Sequence, residues 1–408
     1  MKATHESFLH DLRAILRRPA SPPPGRVLCF PPPQADYVPA LERSAATLRE
    51  RQIALDRERA EAGFLLAELT RHRPERRALV LAGDPRFHTW GLLEKLLEES
   101  QETRLANRIG SERLAVLALA LAERLDAALY GEARLEDLKA RAWSFVADAR
   151  RLRADFAGAG EAFDRAHDHL RRGTGDSLER AWLLDLEAAL RHAEQRRSEA
   201  KRLLRKAIEG FLENGEEERA TGSLIHLAIV HRSRGELARA LSLLQEAQRQ
   251  VAGAAEPRLL LATRHQLIAT LLASGRLMEA RGLLVRCRAL YRQFPDPWTQ
   301  SHLRWLRGRL ALAFAETADG EADLLGARQG FLAQENRLEA ALVALDLCAL
   351  YARQDRAAEL RELAEDARRL FRALPLPGKA RTAESYLRQA EEIEGAWWEL
   401  ARAASAFE

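Results

Sequence analysis

An all-α repeat solenoid is the fold that this sequence predicts, on three observations. A pattern about forty residues long recurs six times, strong helix formers dominate, and turn residues punctuate the chain where helices should end. Of 408 residues, 47% are hydrophobic and 30% charged, which supports a core and argues against wholesale disorder. Aromatics are only 6%, and Val, Ile and Thr are sparse, so a large sheet is not expected.

The elements follow in chain order. Residues 1–18 read as a short amphipathic helix, with Phe8, Leu9, Leu12, Ile15 and Leu16 on one face. Residues 19–39 read as a Pro-rich extended linker. Within it, "SPPPGRVLCFPPPQADY" sets two triple prolines around the apolar island Val27, Leu28, Cys29 and Phe30. The prolines bar a helix and favour a polyproline II path that reaches on the order of 60 Å. This segment is expected to separate a movable module from a scaffold. The island docks as an extended plug on the array or on a partner, with a plain tether as the alternative.

Residues 40–135 form an N-terminal helical region. Leu41, Leu48, Leu55, Ala62 and Leu69 recur every seven residues, in a helix of about 30 residues and about 45 Å. The intervening positions Ala45, Gln52, Arg59 and Leu66 are half polar. That predicts a helix lying against the array rather than a free coiled coil. Asp84 and Pro85 supply an N-cap and first-turn proline for the helix in "RFHTWGLLEKLLEES".

The repeat comes next. Gly235, Ala240 and Leu244 recur forty positions later as Gly275, Ala280 and Leu284. The same template carries Ala159, Phe163 and Ala166; Ala200, Leu204 and Ala207; Gly320, Leu324 and Ala327; and Leu360, Ala364 and Ala367. Twelve residues before each copy stand Ala147, Ala188, Ala228, Ile268, Gly308 and Cys348, most of them small. Each unit is therefore a helix, a tight turn and a second helix, with small residues permitting close backbone approach. In the fifth unit Leu303, Leu306 and Leu310 run one step rotated from their neighbours. Gly173 to Asp176, Asn214–Gly215, Gly253 to Pro257, Pro295–Asp296–Pro297 and Pro375 to Gly378 mark the ends of second helices.

This small-x11-small-x3-large-x2-small pattern resembles the tetratricopeptide repeat (TPR), in a 40-residue form rather than the usual 34. It is similar to arrays in bacterial signal-regulated transcription activators and in eukaryotic motor and polarity adaptors. "DPRFHTWGLLEKLLEES" together with the repeats also resembles poorly characterised bacterial TPR proteins, some of which carry a helix-turn-helix or zinc-finger-like region. This chain departs from them: Cys29 has no CxxC partner, and His5 and His10 lack ligand spacing. The resemblance implies a right-handed superhelical TPR-type α-solenoid. Residues 136–372 form its six-unit array and residues 373–408 its capping helices, with Trp397 and Trp398 as a terminal plug.

Chemistry is not written into the chain. No Walker loop, GxGxxG, GxSxG, HExxH or CxxC occurs, so no catalytic residue, metal ligand or cofactor is expected and the chain reads as a non-enzyme. His167 and His169 are two apart and point to different helix faces. Cys29, Cys287 and Cys348 lie far apart, as small apolar fillers in a reducing compartment. Net charge is +4, lysine is confined to Lys2, Lys95, Lys139, Lys201, Lys206 and Lys379, and acids interleave the many arginines. That is the pattern of solvated helix faces rather than a nucleic-acid footprint. The N-terminus lacks an apolar signal core, and no apolar run reaches bilayer length, so a cytoplasmic chain without a membrane partner is expected.

In the resembling superhelix the first helix of each unit lines a concave groove. Transferred here, that register implies inward-facing Arg141, Ser144, Asp148 and Arg151, then Trp182, Asp185 and His192. Ile225, Ile229 and Arg232 follow, then His265, and then His302, Trp305 and Arg309. Such a surface suits an extended acidic or aromatic-bearing peptide. The two-asparagine carboxylate clamp of chaperone-binding relatives is replaced by Ala189, Ile229 and Ala269. The expected function is a scaffold or adaptor that binds a protein or peptide in bacterial signalling or transcription regulation. The alternative is a regulator that responds to a peptide or small molecule.

Overall fold

The computed structural model describes residues 38–105, 107–251, 256–374 and 376–405, and side chains within 40–396. The helix expected at residues 1–18, the insert with Val27, Leu28, Cys29 and Phe30, and the side chains of Trp397 and Trp398 lie outside the described residues. The described chain is helical: α1 (Val38–Thr70), α2 (Pro74–Gly83), a 3-10 turn (Pro85–Phe87), α3 (Trp90–Thr103), α4 (Arg108–Ala122) and α5 (Ala127–Tyr130). Paired helices follow: α6 (Glu132–Leu152) with α7 (Phe156–Arg172), α8 (Ser177–Ala193) with α9 (Arg197–Glu213), and α10 (Glu217–Ser233) with α11 (Leu237–Val251). Next stand α12 (Pro257–Ala273) with α13 (Leu277–Arg286) and α14 (Arg288–Arg292), α15 (Pro297–Ala313) with α16 (Thr317–Ala333), and α17 (Arg337–Arg353) with α18 (Ala357–Ala373). The last helix is α19 (Pro377–Ser405). Among the described residues, no helix is long and apolar enough to cross a membrane.

The chain divides into two compact units, Met1–Ala54 and Leu55–Glu408. In the first, α1 shows Leu48 to solvent at 60% exposure. In the second, Ala62, Leu65, Leu66 and Leu69 of α1 are buried. The seven-residue stripe thus serves as a core seam only near its C-terminal end. The helix expected from Arg86 begins instead at Trp90: Asp84 caps the 3-10 turn, and the Thr89 side chain accepts from Leu92 N–H as the true N-cap.

The small-residue template becomes the seam between paired helices. Ala147, Ala188, Ala228, Ile268 and Cys348 on first helices and Ala159, Ala200, Ala240, Ala280 and Leu360 on second helices are all fully or almost fully buried. Where α15 meets α16, both partners are glycine. A Cβ on Gly308 would stand 2.8 Å from Leu324 Cγ and 3.0 Å from the Gly320 carbonyl. The rotated apolar pattern of that unit therefore leaves the seam in register, with Leu306 and Leu310 buried beside Gly308.

One turn geometry closes all six pairs. Ala154, Gln195, Gly235, Gly275, Ala315 and Asp355 each have positive φ, between 55° and 78°. The residue after each donates its N–H five residues back, as Glu236 does to the His231 carbonyl at 3.1 Å. This helix stop needs a left-handed residue, which explains glycine in two turns and a modest strain in the other four. The second helix of the fourth unit breaks at Cys287 into α13 and α14, a break that the repeat pattern does not announce.

Within the second unit the array is also closed end to end. One buried cluster joins Leu92, Leu114, Phe145 and Leu186 with Ala341, Leu345, Phe371 and Leu376. The guanidinium of Arg108 on α4 lies 5.4 Å from the ring of Trp298 on α15. The N-terminal helices thereby pack onto the C-terminal pairs and form one wall of the enclosed space.

Candidate functional site

The first helices present equivalent positions to one cavity of about 900 Å³. Asp148, Ala189, Ile229, Ala269 and Arg309 form one row, at steps of forty or forty-one residues. One turn further along the helices lie Leu152, Ala193, Ser233 and Ala273, with Arg151, His192 and Arg232 beside them. One turn earlier lie Asp185, Trp305 and Leu345. The row exists because each helix pair repeats the last with nearly the same turn and seam.

Ten of the twelve residues expected to bind a partner line this cavity: Asp148, Arg151, Trp182, Asp185, His192, Ile229, Arg232, His302, Trp305 and Arg309. Two do not. Arg141 opens onto a neighbouring cavity with Arg59, Glu94 and Arg219, and its guanidinium is paired with Glu179. His265 is desolvated among its neighbours, with Nδ1 2.8 Å from Tyr291 Oη. Burial pushes its pKa down to about 3. Two further residues of the expected face are also withdrawn: Ser144 is buried and donates to the Ala140 carbonyl at 2.9 Å, and Ile225 belongs to the core.

The groove's acids are largely engaged by the protein. Asp148, 1% exposed, sits between Arg104 at 3.0 Å and Arg151 at 2.7 Å. Burial would raise its carboxyl, but the two guanidiniums outweigh that and hold it below the usual range. Ser223 donates to Asp185 at 2.6 Å, and His226 Nδ1 stands 3.6 Å from the same carboxylate. Trp305 Nε1 donates to Asp346 at 2.7 Å, and Arg309 lies 3.6 Å from the same oxygen.

The aromatic side chains form two groups. Trp182 meets Phe145 and Phe211 edge-on at 5.8 and 6.0 Å, with the Arg219 guanidinium 4.0 Å from its ring centroid. It is both core and wall. His302 packs 4.2 Å from Trp298 and 4.8 Å from Phe331, beside Trp305. Its Nδ1–H donates to the Trp298 carbonyl at 3.0 Å, and burial holds its pKa at about 4, so the ring is neutral at pH 7. His192 is likewise pushed to about 4, by burial and then by Arg197, His226, Arg151 and Arg232.

The structure adds Arg104, His226, Trp298, Glu339, Asp346 and Lys379 to the lining. His226 and Asp346 share one register three units apart and were within reach of the repeat. Arg104, the C-cap of α3, and Lys379 of α19 stand outside the paired helices and reach the cavity only because the array closes. Elsewhere, His167 contacts Glu187 and His169 contacts Glu136, each at 2.9 Å, on different helices. Cys287 and Cys348 are free and buried, and burial pushes both thiols up, Cys348 to about 12. Among the described residues, no three His, Cys, Asp or Glu side chains converge as a metal site. The arrangement is equipped for recognition: a cavity lined by two groups of flat rings and by guanidiniums.

No protein-family model matches this sequence, and no curated protein does. The fold is similar to solved TPR-like structures. A Rap protein crystallised in complex with competence and sporulation factor has a TM-score of 0.53 at 12% identity, over 86% of this chain and 99% of that one. The Rap conjugation gene regulator of plasmid pLS20, solved in complex with the Phr* peptide, has a TM-score of 0.53 at 14% identity, over 77% of this chain and 76% of that one. These likenesses show the fold: an all-α, TPR-like helical repeat.

Proposed function

We propose that this chain is a non-enzymatic TPR regulator of the bacterial 40-residue-repeat kind, which binds a peptide or an extended protein segment in its groove. The observation that carries this reading is the row from Asp148 to Arg309, five units contributing to one cavity of about 900 Å³. A cavity lined in turn by five successive units suits an extended chain. The fold is similar to a Rap protein solved with competence and sporulation factor and to a conjugation gene regulator solved with the Phr* peptide, which supports the same reading. In this view α6, α8, α10, α12, α15 and α17 are the binding scaffold. Arg141 and His265 support it from outside the trough.

Site-directed photo-crosslinking tests this. A photoreactive residue at Ile229 in the groove should capture a partner from the native host. The same residue at Leu212, exposed on the second helix α9, should not. Capture from Leu212 alone, or from neither position with both probes incorporated, overturns the reading.

A further inference from the structure

The groove holds a cation that the described residues leave unmatched. Arg232 stands in the last turn of α10 and lines the cavity. Its Nη1 donates to the Gln266 side-chain oxygen at 2.8 Å, the Gln266 carbonyl at 3.3 Å and Thr270 Oγ1 at 3.2 Å, all neutral acceptors. Among the described residues, no carboxylate lies within ion-pair distance of it, and Nε and Nη2 have no protein partner. The guanidinium is thus anchored on one corner, and its free Nε–Nη2 edge is the fork that takes both oxygens of a carboxylate.

The surroundings sharpen the mismatch. Arg197 lines the same cavity and, among the described residues, bonds to the neutral Ser233 at 3.2 Å and to Gln195. Among the described residues, the buried His192 Nδ1 has no partner. Burial and the nearby Arg309 lower the pKa of Arg232 to about 10, so it remains charged at pH 7. Three acids of the lining are engaged elsewhere: Asp148 by two arginines, Asp185 by Ser223 and His226, and Asp346 by Trp305 and Arg309. Desolvating a cation without a counter-charge is costly, and a bound anion relieves that cost.

We propose that the groove seats a carboxylate of its peptide partner on the Nε–Nη2 edge of Arg232, between Arg197 and His192. This rests on the peptide-binding reading of the groove. The carboxylate is either the peptide's C-terminus or an Asp or Glu side chain.

The test uses random hexapeptide mixtures on the full chain: one with free C-termini, one amidated, and one free but lacking Asp and Glu. Retained peptides are quantified by mass spectrometry after gel filtration. Wild type should retain peptides, and Arg232→Met should retain at least about tenfold less, the scale of one lost charge-assisted fork. Loss on amidation assigns the seat to the C-terminus; loss without Asp and Glu assigns it to a side chain. Arg232→Met should melt within about 2 °C of wild type, because no ion pair is lost. Arg232→Lys keeps the charge but not the fork and should still weaken retention several-fold. Full retention by Arg232→Lys or Arg232→Met, with loss in Ile229→Trp, overturns the carboxylate seat and leaves the groove reading standing. Retention unchanged by Ile229→Trp as well, or no peptide retained by wild type, overturns both.

Discussion

Two faces of one helix obey different rules. On α10, Ala228 is fully buried in the core cluster that holds Ala240 of α11, while Ile229 and Arg232, within the next turn, line the groove. The seam face is almost uniform from pair to pair: small, apolar and closed to solvent. The groove face changes at every unit, from aspartate to alanine, isoleucine, alanine and arginine. The seam repeats because close helix pairing favours small side chains at most of its positions. The groove varies because nothing in the free protein presses on it. Stability should therefore reside in the seam and specificity in the groove.

The largest expected effect breaks the seam. Gly308→Leu forces a branched side chain between Leu324 and the Gly320 carbonyl. It should cost more than about 3 kcal/mol by denaturant titration, through overpacking with little room to relax. A loss below about 1 kcal/mol would mean that α15 and α16 slide apart easily. Next comes the one groove acid that behaves like core. Asp148→Ala leaves Arg104 and Arg151 without their shared partner and should cost about 3 kcal/mol.

His302 blurs the comparison through pH. Its folded pKa of about 4 lies below the unfolded value near 6.5, so the unfolded chain binds the extra proton first. Stability from this group is complete above pH 6.5 and is lost as pH falls toward 4. Between pH 6.5 and 5 this group's share of the loss should be about 2 kcal/mol, and His302→Phe should remove that share while leaving those of His192 and His265. An unchanged pH slope in His302→Phe would place the titrating group elsewhere.

Smaller still are the turns. Gly235 has φ +78°, and Gly235→Ala should cost about 1 kcal/mol; Ala315 sits in the same turn at φ +61°, and Ala315→Gly should be neutral or stabilising by about 0.5 kcal/mol. Thermal melts of the pair check the opposite signs. Smallest for stability is Arg309→Ala. The side chain is 42% exposed and 3.6 Å from Asp346, so the change should stay under about 0.5 kcal/mol while partner binding falls. Unchanged binding would remove Arg309 from the groove's working face.

Much of the scaffold was legible in residue spacing. Small residues twelve apart, repeated every forty, locate the seam, since helix pairing demands them whatever the rest of the chain does. The groove row followed from the same register, because first-helix positions one residue from the seam face the trough. Arg141 and His265 miss it by local detail: Glu179 draws one aside, and Tyr291 engages the other. The true start of α3 at Trp90 was masked by two competing capping residues, Asp84 and Thr89.

By itself, the sequence determined the helical class, the period, the seam and the turns, all set by contacts within about forty residues along the chain. Only the tertiary structure decided which charges pair and which stand alone. Arg104 reaches Asp148 across forty-four residues, and Leu345 joins a cluster with Leu92. Such pairings depend on how small rotations accumulate from unit to unit until the two ends meet. No local pattern encodes that sum, and it is what leaves Arg232 without an acid among the described residues.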